Sequence, residues 1–301
     1  MFIAYRRQRR RIAATMILAT VALLVGFIGQ AGWLMRLMYA FGGPSFLTGL
    51  QTAATVLTAG FMIMLIVLRF APAQRQQCEV IAGSTLIFEL FNFALGWIGA
   101  PFASPLLAVC AFVLLCLFVD HVVYGRTLDL FGPWRPLAAS HSFAVKATPN
   151  AAWNAIVPRP DTVSTHWIGA LTEVSHTREP DVFVARYRLG DGTILQKSLT
   201  VLAEEHPVHM RYHFEPEADD DESRFGSGFY EVWLDPQDDG HEVTQITITC
   251  EYTALRTRTA LLLWFDDWLG SEGDAIAAFI ERRPDRSLHT RLWGEVLRQA
   301  A

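Results

Sequence analysis

Residues 257–281 read TRTALLLWFDDWLGSEGDAIAAFIE. Leu261, Trp264, Phe265, Trp268, Leu269, Ile276, Phe279 and Ile280 recur at spacings of three, four and seven, which predicts one long amphipathic helix from Thr257 to Glu281. Its apolar face is rich in indole rings. Such a face serves either as core or as one wall of a ligand cavity. Gly270 and Gly273 sit within the stretch and mark where the helix would kink or break.

The sequence before this helix is strand-patterned. His141–Ala147 alternates, with Phe143 and Val145 on one face, and Thr148 followed by Pro149 is an N-cap with proline at the first helical position. A short helix holding Ala152, Trp153 and Ile156 is expected there, ended by Pro158 and Pro160. Asp161–Trp167 reads as a second short helix. Val182–Leu189 and Thr193–Leu202 form a hairpin about a turn at Gly190, Asp191 and Gly192. In Val208–Glu215, Met210, Tyr212 and Phe214 point one way while His209, Arg211 and His213 point the other. Phe229–Leu234 and Val243–Tyr252 follow, separated by Pro236, Asp238, Asp239 and Gly240. Glu217–Glu222 reads as a solvated acidic loop. A strand, two short helices, further strands and a long helix predict an α+β domain, a curved antiparallel sheet wrapped around the last helix.

The stretch VKATPNAAWNAI (145–156), then Trp167, EEHPVHMRY (204–212) entering a strand, and the strand-to-long-helix ending resemble the SRPBCC superfamily, also called START-like or Bet v 1-like and including polyketide cyclase and dehydrase relatives. The resemblance spans residues 140–283 and rests on the order of loose motifs. It implies a helix-grip fold with a cavity between sheet and helix for a lipid, sterol, isoprenoid or polyketide-like ligand. It transfers no catalytic set. The segment Asp285–Ala301, expected to be one more helix, departs from its simplest pattern.

Strand parity assigns the walls of that cavity. Phe183, Tyr187, Met210, Tyr212, Phe214, Ile246 and Ile248 lie opposite the charged positions of their strands, and Trp264 and Trp268 face them from the helix. Glu204, Glu205 and Arg186 fall at the rim or outside. His166, His176, His206, His209, His213 and His241 are dispersed, with His209 and His213 on the solvent face. There is no GxSxG, HExxH, P-loop or dinucleotide fingerprint, so no catalytic residue and no cofactor is nominated. Cys78, Cys110, Cys116 and Cys250 form no CxxC pair, and neither a disulfide framework nor a metal site is expected.

The first part of the chain is of a different kind. Residues 1–136 hold ten basic against four acidic side chains, a balance of +6, whereas residues 137–301 carry −11. An acidic second half excludes nucleic acid as a partner, since a phosphate backbone calls for a basic patch. Uncharged apolar runs predict an all-α bundle of four membrane spans at 12–35, 46–68, 80–98 and 104–123, each near the roughly 20 residues that cross a bilayer. Residues 1–124 thus form a transmembrane domain, 125–140 a linker in which Trp134 suits the headgroup level, and 141–301 the soluble domain. The first span is too long for a cleaved signal peptide.

Orientation follows the arginines. Arg6, Arg7, Arg9, Arg10, Arg11, then Arg69 and Arg75, then Arg126 and Arg135 all fall on one side of four spans, so both termini are expected in the cytoplasm, in a bacterial inner (plasma) membrane. Only Arg36 sits near the outer end of span one. Glu89, midway along span three, should face the bundle, with Asn92, Gln51 or a threonine of span two as partner. The reading that follows is a membrane-tethered module binding a hydrophobic ligand at the cytoplasmic face. A cyclase or hydratase-type enzyme and a ligand-free adaptor of a membrane complex are the alternatives.

Overall fold

The computed structural model describes residues 2–28, 46–71, 74–98, 104–125, 127, 135–188, 194–216, 226–237, 243–285, 287 and 289. The chain divides into two compact units, Gln8–Phe131 and the combination of Met1–Arg7 with Gly132–Ala301.

The first unit is helical: α2 (Arg9–Ile28), α3 (Phe46–Phe70), α4 (Gln77–Trp97) and α5 (Pro105–Val123). Gln51–Phe70, Gln77–Trp97 and Leu106–Val123 are long and apolar enough to cross a membrane. The first expected span is described only as far as Ile28, and residues 29–35 lie outside the described residues. Outside them also lie the connections at 39–45 and 99–103, Arg36, Arg126 and Trp134. Helix α4 packs chiefly on α2 and buries Cys78, Ala82, Ser84 and Glu89.

The second unit begins with α1 (Phe2–Arg7), which lies on the far end of the chain rather than with the helices that follow it. Its sheet has seven antiparallel strands: β1 (Arg135–Val145), β2 (Leu171–His176), β3 (Val182–Arg188), β4 (Ile194–Glu205), β5 (His209–Pro216), β6 (Gly228–Pro236) and β7 (Thr244–Leu255), in the order β1-β7-β6-β5-β4-β3-β2. Helix α6 (Pro149–Ile156) and a single 3₁₀ turn at Val163–Thr165 bridge β1 to β2. Two helices, α7 (Thr257–Phe265) and α8 (Trp268–Ile280), close the described part of the fold. A seven-stranded antiparallel sheet folded around a C-terminal helix is the α+β helix-grip arrangement that the sequence predicts. The turns at 190–192 and 238–240, the acidic loop 217–222, His241 and most of 285–301 lie outside the described residues.

Four differences from the sequence reading have local physical causes. Strand β1 starts at Arg135, inside the expected linker; it is an edge strand, where the missing N–H of Pro136 costs no ladder bond. Strand β2 escapes a period-two search because a bulge between Leu171 and Glu173 shifts its parity, so Leu171 and Val174, three apart, are both buried. Asp161–Trp167 condenses to the 3₁₀ turn, held by the Thr162 hydroxyl, which donates to Val157 O at 2.6 Å. The long C-terminal helix is two helices. The break falls at Asp267, whose φ of 45° is left-handed, a conformation that aspartate tolerates better than most residues.

The glycines of α8 do something else. A Cβ on Gly270 would sit 2.1 Å from Nη1 of Arg7, and one on Gly273 would sit 2.7 Å from the His141 ring. They admit α1 and β1 against the helix. Thr148 caps α6 as expected, its hydroxyl accepting from the Ala151 N–H at 3.4 Å with Pro149 in the first turn. Trp153 of that helix is 2% exposed and anchors the core with Val145, Val232, Leu234, Ile246, Ile248 and Leu269.

Candidate functional site

Register places two rows of side chains across the inner face of the sheet. One runs Val201, Tyr212, Tyr230, Cys250, Ala139, and the next runs Leu199, Phe214, Gly228, Tyr252, Leu137. Tyr212 and Tyr230 stack at 5.4 Å, and Phe214 meets Tyr252 edge-on at 5.4 Å. Gly228 lies between that pair, and a Cβ there would come within 2.8 Å of Phe214 and 2.2 Å of the Glu251 carbonyl oxygen. From the helix side Trp268 meets Tyr252 at 5.6 Å.

Between these rows and α8 the packing leaves a cavity of about 150 Å³. Tyr187, Tyr212, Phe214, Tyr230, Tyr252 and Trp268 give it aromatic walls. The segment after α6 closes another side with Pro158, His166, Trp167 and Ile168. Into this aromatic box project Glu272 of α8 and Lys197 of β4.

Their surroundings set their protonation. Burial pushes the Glu272 carboxyl up to about 7, against the opposing pull of the Tyr230 hydroxyl, which donates to its Oε1 at 2.8 Å, and of Lys197. Burial lowers the Lys197 amine, which nearby Cys250 and Glu272 partly restore. Its Nζ lies 5.4 Å from the Phe214 ring centre and 6.0 Å from that of Tyr187. Burial raises all four tyrosine hydroxyls of the box, so they act as neutral donors and acceptors. The indole N–H of Trp268 is shielded and has no hydrogen-bond partner among the described residues.

His166 has a structural task. Its Nε2 lies 3.0 Å from Ile156 O and its Nδ1 accepts from the Ile168 N–H at 3.1 Å, so Nε2 carries the proton and the ring is neutral. Burial lowers its pKa to about 4, consistent with that tautomer. The cavity therefore offers a carboxyl near neutrality, an amine and several hydroxyls within an apolar frame, a set that can hydrogen-bond a ligand's polar group and exchange protons with it.

Of the nine wall residues named from sequence, Tyr187, Tyr212, Phe214 and Trp268 line the cavity. Phe183, Met210, Ile246 and Ile248 are close-packed in the buried core at 6%, 2%, 0% and 0% exposure. Trp264 is 45% exposed and meets Phe265 edge-on, because the break at Asp267 rotates α7 out of phase with α8. Lys197, Tyr230, Cys250, Tyr252 and Glu272 are additional lining residues. Tyr230 and Tyr252 shared the inward parity of Val232 and Ile248, a usable signal. Lys197 shares the parity of Leu199 and Val201, and Glu272 lies four residues from both Trp268 and Ile276, but a charged residue ordinarily reads as outward-facing, which masks the signal.

Outside this box the outer face is polar and paired. His209 lies 2.9 Å from Glu231 and stacks on Trp233, Arg186 pairs with Glu173 at 2.8 Å, and Arg159 pairs with Glu204. All four cysteines are free, and no group of three or more His, Cys, Asp or Glu suited to a metal occurs among the described residues. In the helical unit, Glu89 is 1% exposed and faces Gly26 of α2, where a Cβ would lie 2.9 Å from its Oε2. Its carboxylate oxygens have no hydrogen-bond partner among the described residues, so the expected bond to Asn92, Gln51 or a threonine is not made. Arg11 and Glu79 form a buried ion pair in the same unit.

No protein-family model matches the chain, and no curated protein matches it. Solved structures do. Ginseng major latex-like protein 151 from Panax ginseng is 14% identical, covering 49% of this chain and 96% of that one with a TM-score of 0.35. Ara h 8.0201 is 13% identical over 49% and 97% at 0.36, and protein Ms6760 from Mycobacterium smegmatis is 14% identical over 48% and 89% at 0.36. At these scores the likeness adds nothing to the strand order and helix placement, which carry the fold assignment by themselves.

Proposed function

We propose that the second unit is a binding module for a small, largely apolar molecule bearing one polar group, in a chain anchored in a membrane with both termini cytoplasmic. The observation that carries this is the cavity of about 150 Å³. A close-packed adaptor core would leave few voids larger than a water molecule, and a wholly apolar ligand would have no use for Glu272, Lys197 and the Tyr230 hydroxyl. The volume also narrows the choice. Pockets for drug-sized ligands run to about 300–1,000 Å³, so a short acyl, isoprenoid or single-ring compound fits better than a whole sterol.

Anchoring rests on the three apolar helices and on the exposure of Leu106, Leu114, Leu117 and Phe118 along α5, side chains that water would not favour and lipid would. The enzyme alternative also draws support here: Glu272, held near 7, is the acid–base group that such a reading requires. Native mass spectrometry of the full chain released from detergent tests the binding reading. A copurified small molecule is expected. A bare protein whose tryptophan fluorescence ignores a series of alkanols would make the domain an adaptor instead.

A further inference from the structure

The chain holds 25 Lys and Arg residues, and only two of them, Lys146 and Lys197, are lysines. Arginine is thus its general-purpose cation. Lys146 is exposed beside the end of β1, while Lys197 projects into the cavity. The distinction matters chemically. Guanidinium does not lose its proton in proteins, whereas an amine does so readily when buried, and only the free amine is a nucleophile.

Resting on the binding reading above, we propose that the ligand is an aldehyde or ketone and that Lys197 captures its carbonyl carbon reversibly as an imine, with Glu272 relaying the protons. The amine nitrogen adds to the carbonyl carbon, and the C=O electron pair moves to oxygen. That oxygen takes a proton from Glu272, and the ammonium returns one to the carboxylate, leaving a neutral carbinolamine. Glu272 then protonates the hydroxyl, which departs as water as the C=N bond forms, and recovers the remaining nitrogen proton. One water is released and nothing is oxidised or reduced.

Three features of the site suit this sequence. Lys197 and Glu272 line one cavity from opposite walls, sheet and helix. The Tyr230 hydroxyl fixes one oxygen of Glu272, leaving the other to carry the proton. The rings of Phe214 and Tyr187 give Nζ an apolar setting, and burial holds the amine below its usual range and the carboxyl near 7, so a nucleophile and an acid coexist near neutrality.

The test uses the full chain in detergent with hexanal and sodium cyanoborohydride, which reduces an imine to a stable hexyl-amine, followed by peptide mass spectrometry. Lys146 is the internal control. Lys197 is expected to gain the hexyl group faster than Lys146, because burial lowers its amine and leaves more of it as the free nucleophile. Hexanol, which has no carbonyl, should compete and slow it, and Glu272→Gln, which removes the proton relay, should slow it in the absence of hexanol. Competition in the unaltered protein keeps the test independent of whether a variant folds. If hexanol changes the tryptophan fluorescence while Lys197 reacts no faster than Lys146, capture is overturned and the binding reading stands. If neither compound changes the fluorescence and Lys197 is not modified, both fail.

Discussion

Arg7 meets Asp274 through two parallel hydrogen bonds, Nε to Oδ2 at 2.8 Å and Nη2 to Oδ1 at 2.9 Å, across 267 positions of sequence. Its Nη1 also donates to Asp267 at 2.9 Å, and its Nη2 lies 3.1 Å from Nε2 of His141. Arginine has no acceptor, so His141 must accept there and is neutral, in agreement with burial and Arg7 lowering its pKa. One guanidinium thus ties α1, α8 and β1 together.

Removing it should be felt throughout the second unit. Arg7→Ala is expected to cost about 1.5 to 3 kcal/mol, the range for hydrogen bonds to charged groups, less than for a fully buried pair because both aspartates reach water. Thermal unfolding of the full chain reads the effect. Gly270→Ala should reproduce it by displacing the guanidinium, and the double variant should lose little more than either single change. Additive losses would show that Gly270 serves some purpose other than admitting Arg7.

Cavity wall and core predict different losses for tryptophan. Trp153→Ala, at a fully packed site, is expected to cost about 3 to 5 kcal/mol. Trp268→Ala should cost less, since its ring borders open volume and its N–H makes no hydrogen bond among the described residues. Equal losses would mean the box is closed in solution.

Gly228→Ala should destabilise for a separate reason. The added methyl meets a carbonyl oxygen at 2.2 Å and the Phe214 ring at 2.8 Å, so neighbouring backbone must shift. Overpacking of this kind costs about 1 to 3 kcal/mol. A variant as stable as the parent would show that β6 and β7 separate more easily than their ladder suggests.

Stability should depend on pH through Glu272. Its folded pKa of about 7 lies above its ordinary 4.5, so the native state holds the proton more tightly. Its penalty is absent below 4.5, grows as pH rises from 4.5 towards 7, and is complete above 7. Glu272→Gln, which keeps the Tyr230 bond, should therefore gain stability relative to the parent as pH rises across that window. A difference independent of pH would mean that Glu272 ionises normally.

The membrane arrangement is tested by reporter fusions. Fusions after Gln74 and Ala301 are expected to report cytoplasm and one after Gly43 the outside; a cytoplasmic signal at Gly43 would remove the four-span arrangement. Glu89→Gln should leave expression and oligomeric state almost unchanged if the residue is a neutral packing group. Loss of function with normal folding would assign it a proton or substrate role.

What the sequence determined by itself was the side of each regular element. Alternation in 182–188, 209–214 and 244–252 placed Tyr187, Tyr212 and Phe214 on the inner face, and Thr148–Pro149 started α6 where a hydroxyl cap and a fixed φ favour it. Periodicity carries that information because it is local. Tertiary structure decided whatever shifts a phase or needs a distant partner. A bulge brought Leu171 and Val174 to one face, and a left-handed Asp267 turned Trp264 outward. Lys197 and Glu272 face inward because each finds the other's wall, with Tyr230, close enough to offset part of the cost of burying charge. Arg7 joined the far end of the chain because Asp267 at the N-cap of α8 and Asp274 two turns into it, with room left by Gly270 between them, match the fork of its guanidinium. Spacing along a chain encodes a side, but a partner hundreds of residues away is fixed only when the fold brings it near.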